Sequence, residues 1–91
     1  MGTAEIVNAY LAKHRIRPPD LARQINEALK KSPYPTPGIT RQAVHYWTTG
    51  EYRPDPGRLF WIAEYAEDED LRRLAADLIA ALKEGNGERG E

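Results

Sequence analysis

Residues 38–66 read GITRQAVHYWTTGEYRPDPGRLFWIAEYA, and two helices can be read directly from them. Thr40 is suited to an N-cap, where its side-chain oxygen accepts from a backbone N–H that the first turn leaves unpaired. Ile39 before it and Val44 after it take the two positions of a hydrophobic staple. The spacing predicts a helix over 40–49, stopped at Gly50, where the chain needs left-handed backbone. The loop EYRPD follows. Asp55 then caps a helix over 56–66, and Pro56 in its first turn gives up an N–H that had no partner. Leu59, Ile62, Ala63 and Ala66 make its buried stripe, with Phe60 at the flank.

In helix 40–49 the apolar positions are Ala43, Val44 and Trp47, so Arg41, Gln42, His45 and Tyr46 face outward. A face that is only solvated is built mostly from Lys and Glu. This one carries groups that can read a base pair: Arg pairs with guanine O6/N7 and Gln with adenine N6/N7 in the major groove. Arg41 and Gln42 stand in the first turn, the end of a recognition helix that reaches base edges. The N–H groups of that turn and the Thr40 hydroxyl suit a phosphate. The competing reading is a plain exposed face.

Outward from this stretch, Ile6, Val7, Tyr10, Leu11 and His14 follow a helical period over 4–14, with Thr3 as the expected N-cap. His14 lies on the apolar side and is expected to be half-buried with its hydrogen bonds satisfied. Pro18 and Pro19 stop any helix from the left, and a second one starts at Pro19 or Asp20. Its stripe is Leu21, Ala22, Ile25, Ala28 and Leu29, and Lys30 and Lys31 close it. Residues 32–38 (SPYPTPG) are not helical: three alternating prolines favour extended backbone. They read as a stiff connector, or as a loop that touches a partner through Tyr34. Asp68 opens a fifth helix over 68–84, whose stripe is Leu71, Leu74, Ala75, Leu78, Ile79 and Leu82; Gly85 is expected to end it. The expected organisation is one all-α domain over 1–84 and a flexible polar tail over 85–91.

Ninety-one residues suffice for one small core. No apolar run approaches a membrane-spanning length, and no basic-then-apolar leader is seen, so the expected compartment is cytoplasmic, with the nucleoid when DNA-bound. The chain has no cysteine and two histidines, which removes thiolate catalysis and cysteine metal sites. No metal, cofactor or small-molecule substrate is expected. The net charge of −1 hides a division. Residues 1–58 hold nine Lys/Arg against five Asp/Glu, a balance of +4; residues 59–91 hold four against nine, a balance of −5. One end is suited to an anion. The run Glu67-Asp68-Glu69-Asp70 reads as a helix start rather than a cation site. No phosphate loop, nucleophile elbow or catalytic carboxylate pair occurs, which argues against an enzyme.

Gly38-Ile39-Thr40, Val44, Trp47, Gly50, Pro54, Leu59-Phe60 and Ile62-Ala63 together resemble the Cro/CI-type helix-turn-helix family, also called lambda-repressor-like or XRE. Leu21-Ala22 looks like the family's earlier "LA" pair. The resemblance spans roughly residues 5–66. It implies a five-helix domain that binds double-stranded DNA as a homodimer on a near-palindromic operator, usually as a repressor. By position it implies base reading by Arg41, Gln42 and Tyr46, with His45 beside them. It implies phosphate contacts by Thr40 and Arg53, and Thr49 is a further candidate. Trp47 is implied to be core. Two features depart from the family pattern. About twelve extra residues lie between Ile25 and Gly38, and Pro18 stands where the family often has a phosphate-binding Gln. Arg15, Arg17 and Arg23 are the candidates to replace that contact.

Trp61 and Tyr65 form an i, i+4 aromatic pair away from the main stripe of their helix. They are a candidate dimer interface, unless helix 68–84 folds back over them. The alternative function is a protein-interaction or assembly module on the same fold, such as an antitoxin-like partner or the small subunit of a phage packaging complex.

Overall fold

The computed structural model describes residues 2–32 and 37–89, with side chains as far as Glu84. Five helices follow one another: α1 Thr3–His14, α2 Pro18–Leu29, α3 Arg41–Thr49, α4 Pro56–Tyr65 and α5 Glu69–Arg89. No strand occurs among the described residues, and none of their helices is long and apolar enough to cross a membrane. Tyr34 and most of the proline connector lie outside the described residues.

Local chemistry sets most boundaries. Thr40 Oγ1 accepts from Ala43 N at 3.1 Å, and Gly50 closes α3 with φ 81°, backbone that glycine enters without a Cβ clash. Asp55 Oδ1 accepts from Gly57 N at 3.3 Å. Asp68 Oδ1 accepts from Asp70 N at 2.9 Å and Leu71 N at 3.3 Å. Three boundaries correct the sequence reading, the first being α2, which starts at Pro18 rather than at Pro19 or Asp20. Gly2 is the N-cap of α1, and Thr3 is already helical with no side-chain cap bond. At the other end α5 runs through Gly85 to Arg89: a glycine inside a helix costs only about 1 kcal/mol relative to alanine and does not by itself end it.

All five helices share one core. Val7, Leu11, Leu21, Ile25, Leu29, Val44, Trp47, Leu59, Ile62, Leu71, Leu74, Leu78 and Leu82 are buried in a single cluster. α4 packs most extensively on α5, α2 on α3, and α1 on both α3 and α5.

The wall between α1 and α5 is partly polar. Tyr10 is buried and donates its hydroxyl to Gln24 Oε1 at 3.2 Å. The His14 ring lies against it, centroids 4.2 Å apart. Contrary to expectation, His14 Nε2 is buried without a hydrogen bond; the Asp70 carboxylate is 3.8 Å away, beyond bonding distance. Burial, with Asp68 and Asp70 nearby, pushes the Tyr10 phenol up from 10.0 to about 12. In the unfolded chain it ionises near 10, so between pH 10 and 12 the folded form retains a proton that the unfolded form has lost. This contribution is fully present below pH 10 and declines as pH rises toward 12, by on the order of 2 kcal/mol. Tyr10→Phe should flatten that part of the alkaline stability curve, measured as urea midpoints at pH 9 and 11.5. An equal alkaline loss in both chains would refute the assignment.

Candidate nucleic-acid interface

The outward face of α3 follows from what its inward face buries. Val44 is fully buried and Trp47 nearly so, while Arg41, Gln42 and His45 are exposed. Tyr46 is half-buried rather than fully outward. Its hydroxyl accepts from Gln42 Nε2 at 2.9 Å, and the Tyr52 ring meets its ring edge-on at 4.9 Å. The His45 ring is 6.2 Å from that of Tyr46. Gln42, His45 and Tyr46 therefore form one connected surface, joined by Tyr52, which the sequence reading had passed over.

Two asparagines set the pose of α3. Asn26 on α2 forms a closed pair with the backbone of Ile39: Ile39 N donates to Asn26 Oδ1 at 2.8 Å, and Asn26 Nδ2 donates to Ile39 O at 2.9 Å. The amide lies so close to Gly38 that a Cβ there would stand 2.8 Å from Asn26 Oδ1. Asn8 on α1 holds the other end of the helix, donating to Thr48 O at 3.0 Å. Arg58 Nε adds a bond to Pro37 O at 2.9 Å. Sequence reasoning missed both asparagines. The available signal was a polar residue, Asn26, beside the apolar stripe of α2. Asn26→Ala strips the part-buried Ile39 N–H and carbonyl of their partners, which should cost about 1–3 kcal/mol in urea unfolding. A change near zero would show that the pair does not hold the helix.

The phosphate candidates fare unequally. The Thr40 oxygen caps the helix, leaving its own hydrogen to donate outward. Thr49 donates to Tyr46 O at 3.0 Å and accepts from Glu51 N at 3.3 Å, so its hydroxyl serves the end of the helix. Arg53 is exposed on the loop that carries Tyr52. Arg23 is held by Asp20, Nη2 to Oδ1 at 2.9 Å. Arg17 is exposed; its backbone N donates to Asp20 Oδ2 at 3.0 Å. With prolines at its first two positions, α2 begins without free N–H groups, because Asp20 N is spent on Arg17 O at 2.9 Å. The start of α2 is thus a poor phosphate seat, and the first turn of α3 is a better one.

No family model, curated protein or solved structure matches the chain. The candidate interface therefore stands on its own chemistry: cationic and amide groups on a capped, rigidly seated helix.

Trp61 and Tyr65 lie elsewhere, on α4, with ring centroids 4.2 Å apart. Trp61 is partly buried and its Nε1 donates to Ala28 O at 3.3 Å, tying it to the end of α2. Tyr65 is 57% exposed, so α5 does not fold over it; Phe60, also exposed, lies on another side of the helix.

Proposed function

We propose that this protein is a sequence-specific double-stranded DNA-binding transcriptional regulator of the repressor type. In this reading it follows the lambda-repressor-like plan, with α2 and α3 as the helix-turn-helix and α3 in the major groove. The observation that carries it is the division of α3: Val44 and Trp47 are buried while Arg41, Gln42 and His45 point to solvent from a Thr40-capped end. These are side chains whose donors and acceptors match base edges, at the end of the helix from which such contacts are made. The exposed Tyr65, stacked on the partly buried Trp61, supplies a surface for a homodimer.

The test is selection from a random duplex pool near physiological salt. Enrichment of a two-fold symmetric site is expected. Its affinity should fall with salt at a slope of about −0.9 per phosphate contacted. A pool that stays random, with only weak salt-labile binding, would overturn the proposal. The assembly-module reading, favoured by the aromatic face of α4, would then lead.

A further inference from the structure

Beside the α3 face lies an open depression of about 320 Å³, lined by Pro18, Pro19, Arg41, Gln42 and His45. Building on the DNA-binding reading above, we propose that this depression receives the 5-methyl group of a pyrimidine in the major groove.

The two sides of the lining differ in chemistry. The two prolines present ring carbons and no N–H, and the next amide, Asp20 N, is already bonded to Arg17 O. The α2 side therefore offers no N–H donor. The α3 side offers the Arg41 guanidinium, the Gln42 amide and the His45 imidazole. A fitting ligand carries a small apolar group next to hydrogen-bonding atoms. In the major groove the apolar group on a base edge is the methyl at C5 of a pyrimidine. The prolyl rings have almost no rotamer freedom to lose when they meet it.

The pose of Gln42 agrees. One N–H of its amide goes to the Tyr46 hydroxyl at 2.9 Å, and Tyr46 is backed by Tyr52. The carbonyl oxygen and the second N–H remain for adenine N6 and N7. The thymine of that same pair presents its methyl in the same groove. The volume admits the edge of a base as well as the methyl. Thymine and 5-methylcytosine carry this group at the same ring position, so both are ligands of one chemistry.

The experiment uses the duplex enriched from the random pool, remade with deoxyuridine in place of each thymine in turn, which deletes one methyl and nothing else. Affinity should fall about fourfold at one position of each half-site, the effect of losing one buried methyl-sized group. At that position, 5-methylcytosine should bind better than cytosine by a similar factor. A deoxyuridine loss without that gain would overturn the claim that a pyrimidine 5-methyl group as such is what the depression receives. In Pro18→Ser/Pro19→Ser the thymine and deoxyuridine duplexes should bind alike, with the unfolding midpoint measured to confirm the fold. Pro19→Ser alone, at the exposed proline, guards against misfolding of the double variant. If no deoxyuridine substitution matters, or if the loss persists in the serine variants, the inference is overturned while DNA binding stands. If no duplex is enriched, the DNA-binding reading fails and takes this one with it.

Discussion

Arg41→Ala is expected to weaken binding to the selected duplex by about 1–3 kcal/mol per half-site, and to relax one base position while leaving the rest of the preference intact. The guanidinium is exposed in the first turn of α3, so removing it leaves the core untouched. Stability should stay within about 0.5 kcal/mol of the parent. Gln42→Ala should act in the same way at a different position, one that prefers adenine. Arg23→Ala is the contrast. Its guanidinium is paired with Asp20 at 2.9 Å, so any loss should be smaller and uniform across sequences, as for a phosphate contact. Titrations of each variant against the selected duplex and its single-base changes decide the matter. Unchanged preference in both Arg41→Ala and Gln42→Ala would remove α3 as the reading element.

The second large effect concerns Trp47, which is 7% exposed and seated in the shared core. Trp47→Ala should cost about 3–5 kcal/mol through lost burial and the cavity left behind. A domain of this size has roughly 5–15 kcal/mol in all, and each kcal/mol lowers Tm by about 4–8 °C. The variant should be marginal at 37 °C and lose duplex binding along with the fold. Trp47→Phe, which retains much of the apolar area, should be milder on both counts. Thermal unfolding followed by circular dichroism, with a duplex titration below the transition, separates two roles for this indole. Intact stability with lost binding would mean that Trp47 stacks on a base rather than filling the core.

Much of the fold is legible in the residues because its determinants are local. Thr40, Gly50, Asp55 with Pro56, and Asp68 each act on backbone within a turn of themselves. The 3.6-residue period likewise places Val44 and Trp47 inward and Arg41, Gln42 and His45 outward. Where the determinant lies across space, the sequence marks one residue at most and not its partner. The Asn26–Ile39 pair joins residues thirteen positions apart, and no period marks it. Tyr46 is half-buried because Tyr52 returns against it from the following loop. The pairing of Arg23 with Asp20, by contrast, is a local contact that the i, i+3 spacing on α2 already allows. His14 shows the reverse case: its burial could be read from the helical stripe, but its missing partner depends on where α5 begins. Gly85 misleads because a glycine permits a helix end without requiring one.

The Asn26 clasp has a further consequence for how α3 is carried. It fixes the entry into α3 at Ile39, and Arg58 secures Pro37 two residues earlier. The seat of α3 is thereby set from two sides, by α2 through Asn26 and by α4 through Arg58. A shift of either helix would be passed on to the exposed face of α3 without any change in α3 itself.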